Sequence, residues 1–141
     1  MSGSLAESTT FTDQITVEWG DCDEAGIVFY PNYLYWFDCT WQRLLRSRGL
    51  GQRNLRSRFG AVTPLVEVGV SFRSPARYDD VLDVTAEIVA WHDKRFRIDY
   101  GMSVNGRKVL EGFEVRAWAQ PMTDGTLKGA VVDAAFREAL S

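Results

Sequence analysis

Histidine is almost missing from this chain: His92 is the only one among 141 residues. Cysteine is scarce too, with Cys22 and Cys39 alone and no Cys-x-x-Cys pair. These shortages exclude the common zinc spacings and a disulfide framework, so no metal ligand set is expected. Basic residues are outnumbered by acidic ones, giving a net charge of −3 and a pI near 5.2. A nucleic-acid partner therefore has no global electrostatic support, and an anionic ligand needs a local cluster of bases. No apolar run approaches the length that crosses a bilayer, and no membrane partner is expected. Residues 1–12 are small and polar, with neither a basic n-region nor an apolar h-region. They read as a disordered leader and not a signal peptide, which makes a reducing cytoplasm the default location.

What remains suits one compact domain over residues 13–141. Apolar residues make up 45% of the chain, enough for a core without staples. Ile15, Val17 and Trp19 alternate with Thr16 and Glu18, the period of a strand. A turn-rich segment from Gly20 to Phe29 follows. Pro31 then suits the first position of a helix, where its missing N–H costs nothing, and Gly49 supplies the stop. Leu34, Phe37, Trp41, Leu44 and Leu45 keep the helical period, while Tyr33, Tyr35 and Trp36 carry rings to other faces.

Downstream the period becomes 2. Val66 to Phe72, Leu82 to Ala90 and Phe96 to Val104 read as strands, and Asn105-Gly106 ties the last of these to the run from Lys108 to Gln120. Residues 132–140 suit a short closing helix. One long helix ahead of consecutive strands argues against parallel βαβ units. An α+β fold results, an antiparallel sheet packed on one long helix.

The segment with chemical promise is Gly20-Asp21-Cys22-Asp23-Glu24-Ala25-Gly26, three carboxylates at a strand-to-helix junction. A solvated acidic turn is the bland interpretation. The apolar Ile27-Val28-Phe29 that follows pins this turn beside the helix start, where backbone N–H groups can polarise a carbonyl. A calcium loop fails, because Ala25 and Asn32 stand where ligands are needed. A phosphatase with Asp-x-Asp after a strand needs a doubly wound sheet. A single carboxylate acting on an ester-like bond fits better.

The run Gly20-Asp21-Cys22-Asp23-Glu24-Ala25-Gly26-Ile27-Val28-Phe29-Tyr30-Pro31-Asn32-Tyr33 resembles the active-site signature of the 4-hydroxybenzoyl-CoA thioesterase family. Thr63-Pro64-Leu65 and Tyr78-Asp79-Asp80-Val81-Leu82 agree with it, and the likeness covers about residues 14–120. The resemblance implies a hotdog fold, with a five-stranded antiparallel sheet wrapping one central helix. It also implies an acyl-CoA substrate, no cofactor, and paired subunits with sites at their interface. Whether such dimers pair into tetramers stays open. By the same resemblance Asp23 is the catalytic carboxylate and the Tyr30 backbone N–H the oxyanion donor. Phe29, Pro31, Tyr33 and Trp36 are candidates to bind the acyl group, and Pro31, where short-chain relatives often have His, points to an aromatic one. Lys94, Arg95 and Arg97 are candidates for the CoA phosphates. Asp21 is expected to cap a turn, Asn32 to orient the helix start, Cys22 and Cys39 to pack, and His92 to lie in a surface turn. A short- or medium-chain aliphatic thioesterase, a dehydratase and a non-catalytic acyl-CoA-binding domain remain as alternatives.

Overall fold

In the computed structural model, residues 10–141 are described. The strands are β1 (Thr10–Thr16), β2 (Leu65–Phe72), β3 (Val81–Trp91), β4 (Arg95–Val104) and β5 (Arg107–Ala117), followed by a small hairpin of β6 (Ala119–Pro121) and β7 (Leu127–Gly129). The helices are α1 (Pro31–Ser47), α2 (Gln52–Phe59) and α3 (Ala134–Ala139). β1 to β5 form one antiparallel sheet in the order β1-β3-β4-β5-β2. The expected fold class is therefore met: a long antiparallel sheet around a central helix.

The first strand differs from its expected limits. It begins at Thr10, so Thr10 to Thr12, placed in the leader on composition, pair with Glu87 to Thr85. The rest of that leader lies outside the described residues. At the other end the strand stops at Thr16, and Trp19 enters a short 3-10 turn where it is 72% exposed. Its ring meets Tyr78 edge-on at 5.4 Å, which satisfies it without a place in the sheet.

Helix α1 lies against the inward face of the sheet because its neighbours make room for its rings. Phe37 is fully buried and stacks on Tyr100 of β4, with centroids 4.4 Å apart and planes 5° from parallel. Gly112 of β5 permits this approach: a Cβ there would sit 2.5 Å from Phe37 Cζ and 2.9 Å from the Gly69 carbonyl oxygen. One turn on, Trp41 packs on Phe96 and donates from Nε1 to Thr63 Oγ1 at 3.2 Å. Each such ring contributes roughly 2–3 kcal/mol on burial. Phe136 of α3 closes the far end against Phe59, Trp91, Phe96 and Trp118.

A polar chain runs through this core. Tyr100 Oη donates to Glu114 at 2.8 Å, and Arg116 Nε donates to the same oxygen at 2.9 Å. The remaining Arg116 nitrogens reach the Thr63 carbonyl and Asp38 of α1, each at 2.9 Å. Burial, then the Glu114 charge, pushes the Tyr100 phenol well above its ordinary range, so it stays protonated and donates. These bonds tie β4, β5, the strand entry at Thr63 and α1 into one unit. They hold the helix in place from below.

Candidate active site at the start of helix α1

The acidic segment is held by its backbone. Val17 N–H donates to the Asp80 carbonyl at 2.8 Å and Asp79 N–H to the Val17 carbonyl at 2.9 Å, so the end of β1 is stitched to the turn before β3. Asp21 Oδ2 accepts from Glu18 N–H at 2.8 Å and caps the 3-10 turn. The Asp21 carbonyl accepts from Phe29 N–H and from Asn32 Nδ2, both at 2.9 Å. Asn32 thereby clamps the first turn of α1 to the acidic loop.

Between these clamps the chain makes a tight reversal. Cys22 bridges Val28, Asp23 N–H donates to the Ile27 carbonyl at 2.9 Å, and Gly26 N–H returns to the Asp23 carbonyl at 3.0 Å. Gly26 sits at φ +78°, where a side chain would be strained. The Asp23 side chain is exposed, and its Oδ1 accepts from Ala25 N–H at 2.9 Å. That bond orients the carboxylate and leaves Oδ2 free to face a ligand. Ile27 and Val28 then pair with Arg77 and Ala76.

The helix start is open. Tyr30 is the N-cap residue and Pro31 the first helical one, with no side chain capping the helix. Tyr30 N–H makes no hydrogen bond among the described residues, as an oxyanion donor requires. Beside it lies a cavity of about 360 Å³, walled by Ile27, Val28, Tyr30, Tyr33, Phe72 and Pro75. Tyr33 is buried; its Oη accepts from Ala76 N–H at 3.3 Å, and burial raises its pKa. Cys22 offers no ready thiolate, because desolvation and then the charges of Asp21 and Asp23 push its pKa up.

Of the expected acyl-binding residues, Tyr33 lines this cavity, together with Tyr30, the expected oxyanion donor. Phe29 is half exposed and meets Tyr30 edge-on at 5.7 Å, outside the lining. Trp36 belongs to the core, 6% exposed and packed on Tyr33, and Pro31 only opens the helix. Phe72, Arg73, Ser74 and Pro75, which complete the wall, had no sequence signal beyond their place at a strand end.

The bases expected for phosphate are not near Asp23 in the same chain. The acidic loop packs where β2 ends and β3 begins, whereas Lys94 and Arg95 sit at the β3–β4 turn. Strand β4 separates these two ends by roughly 30 Å at about 3.3 Å per residue. Arg97 lies further along β4, bound to Asp99 at 2.8 Å and laid over the Phe113 ring at 4.1 Å. Sequence adjacency to a strand end says nothing about which end of the sheet carries the site.

Among the described residues no group of His, Cys, Asp and Glu is placed to hold a metal ion. No helix there is long and apolar enough to cross a membrane.

Residues 17–140 match the family model of the thioesterase-like superfamily. The 4-hydroxybenzoyl-CoA thioesterase of Pseudomonas sp. (strain CBS-3) is 35% identical over 123 residues, which cover 82% of this chain and 86% of that one. A solved structure of a variant 4-hydroxybenzoyl-CoA thioesterase in complex with 4-hydroxybenzoyl-CoA superposes with a TM-score of 0.87 at 33% identity, covering 94% of this chain and 99% of that one. A gentisyl-coenzyme A thioesterase structure gives a TM-score of 0.81 at 28% identity, covering 93% and 100%. The chain has the hotdog fold and belongs to the thioesterase-like superfamily. Within it the chain is an acyl-CoA thioesterase, an enzyme that splits the thioester into acid and thiol.

Proposed function

We propose that this thioesterase hydrolyses a CoA ester of an aromatic acid of the benzoyl type, with Asp23 as nucleophile or general base. The observation that carries the reading is the open start of α1. An unpaired Tyr30 N–H stands beside an apolar cavity, and the Asp23 turn supplies the Ile27 and Val28 wall of that cavity. A cavity of about 360 Å³ with two tyrosines in its wall suits a ring. The thioester oxygen accepts from Tyr30 N–H, which stabilises the charge that develops on it. Asp23 then attacks the carbonyl carbon, or takes a proton from water that attacks. By the first route loss of the CoA thiolate leaves an acyl anhydride on Asp23 that water hydrolyses. By the second the water oxygen becomes that of the acid, and the proton held by Asp23 passes to the departing thiolate.

The reading requires a second copy. β2 is an edge strand, and Leu65, Val66 and Phe72 on it are exposed. Trp19, Phe29, Tyr30, Tyr35 and Tyr78 add exposed rings, apolar surface that a second copy would cover. Antiparallel pairing of β2 with its copy is self-complementary. It carries the partner's β3–β4 turn toward this chain's Asp23, so Lys94 and Arg95 serve the neighbour's substrate phosphates.

A panel of aryl and aliphatic acyl-CoAs, ranked by kcat/KM through thiol release, tests the substrate class. Benzoyl-type esters should lead. Preference for a straight-chain ester would replace the aromatic reading with the aliphatic one, and no turnover on any ester would leave a binding domain.

A further inference from the structure

Charge in this chain is segregated. From Cys39 to Val66 there are six arginines and no acid, so these 28 residues carry +6 in a protein of net −3. Several of the six have work inside the fold. Arg43 pairs with Asp13 at 2.7 Å, Arg48 donates to the Ala139 carbonyl at 2.9 Å, and Arg58 lies over its neighbour Phe59 at 4.9 Å. Arg46, Arg53 and Arg56 differ, since none of their side chains has a hydrogen bond, ion pair or ring contact among the described residues, and Arg46 and Arg53 lie together.

Arg46 and Arg53 line a cavity of about 400 Å³ between the last turn of α1 and the first turn of α2. The rest of its wall is Gln42, Gln52, Asn54 and two glycines, with no carboxylate. The amides are held in place. Gln52 Nε2 donates to Gln42 Oε1 at 2.8 Å, and Asn54 Nδ2 donates to the Gly49 carbonyl at 2.9 Å. Each of those two amide nitrogens keeps a second N–H to offer. Gly51 leaves space for the Arg46 stem, since a Cβ there would lie 3.1 Å from Arg46 Cγ. Gln42 of the wall donates to Asp38 at 3.3 Å, and that carboxylate is matched by Arg116 at 2.9 Å.

We propose that the cavity between α1 and α2 is a second ligand site, which takes a phosphate group through Arg46 and Arg53. A guanidinium offers a planar fork of donors that fits two phosphate oxygens at once. Two such forks on separate helices, in a wall that also carries amide N–H groups, suit a tetrahedral dianion. The phosphate can come from the nucleotide end of a CoA ester or from a free phosphorylated metabolite. The site is independent of which acyl group is cleaved, and the titration that decides whether it exists needs no turnover.

The test is calorimetric titration of the full chain carrying Lys94→Ala and Arg95→Ala, which removes the substrate-phosphate contacts proposed above, with adenosine 3′,5′-bisphosphate and, separately, with inorganic pyrophosphate, at low salt. Both should bind, and Arg46→Glu and Arg53→Glu should each weaken them at least about tenfold with the melting temperature unchanged. Arg53→Lys should lose less than Arg53→Glu. A KM that rises in Arg53→Glu for CoA esters but not for pantetheine esters assigns the phosphate to the substrate. An unchanged KM beside lost titration assigns it to a free ligand. No binding at millimolar concentration, or binding that survives both charge reversals, overturns the proposal.

Discussion

Arg116 is the residue whose loss should damage the fold most for the atoms removed. Its side chain is 7% exposed and its partner Glu114 is 2% exposed, so both charges are out of water and balance each other. Arg116→Met keeps most of the volume but strands the Glu114 carboxylate, whose only remaining side-chain bond among the described residues is from Tyr100 Oη. Breaking a buried pair in this way costs about 3–5 kcal/mol. The Asp38 bond adds little, since that carboxylate is 49% exposed and screened. For a chain of this size the loss corresponds to a fall in melting temperature of roughly 10–15 °C. The double change Arg116→Met with Glu114→Leu removes both charges and should recover most of it, because an apolar pair of similar volume is often neutral. Urea unfolding of the wild type, both single variants and the double variant supplies the cycle. Equal destabilisation in Arg116→Met and the double variant would refute the reasoning, since it would mean that the stranded charge costs nothing.

Other perturbations follow from the same contacts. Gly112→Ala drives a methyl group into Phe37 and the Gly69 carbonyl, so it should cost about 1–3 kcal/mol, with a melting temperature within 1 °C of wild type as the contrary result. Glu111 accepts from Lys108 and Arg73, and these bonds bring its pKa down to about 2. A carboxylate depressed in the folded state stabilises above its unfolded value near 4.5 and loses that contribution as pH falls toward 2. Melting temperatures of wild type and Glu111→Gln should therefore converge over that window, and a constant gap would contradict the assignment. Val66→Lys places a charge on the exposed β2 edge and should shift sedimentation from dimer toward monomer, whereas a wild type that sediments as a monomer with full activity would dismiss the paired site.

Much of the fold was legible because its signals are local and strong. Pro31 opens α1 as expected, and Asn105 and Gly106 adopt φ of 49° and 82° in the turn between β4 and β5. The acidic loop was equally visible, since carboxylates followed at once by Ile27-Val28-Phe29 force a reversal into the core. The gaps have physical causes. Helix α2 buries only Leu55 among eight residues, too little apolar surface to show a period. β1 reaches back to Thr10 because alternate Phe11, Asp13 and Ile15 face inward, but Asp13 hides the pattern by pairing with Arg43. The predicted run from Lys108 to Gln120 divides between β5 and β6, and the β6–β7 hairpin is too short to read. The placing of Lys94 and Arg95 at the far end of the sheet depends on strand order, which no local motif records.

The central claim is that Asp23, and not Asp21, does the chemistry. The Asp21 carboxylate is spent on the Glu18 N–H, and its backbone carbonyl on the clamp to Asn32, whereas Asp23 presents an exposed carboxylate with one oxygen oriented by Ala25. The direct test is kcat for Asp23→Asn and Asp21→Asn on the best acyl-CoA substrate, with thermal melts to confirm folding. Asp23→Asn should lower kcat by about 10²- to 10⁴-fold with little change in the melt. Asp21→Asn should cost far less, because an amide oxygen can accept the same capping bond. Turnover abolished by Asp21→Asn and retained by Asp23→Asn would contradict the account.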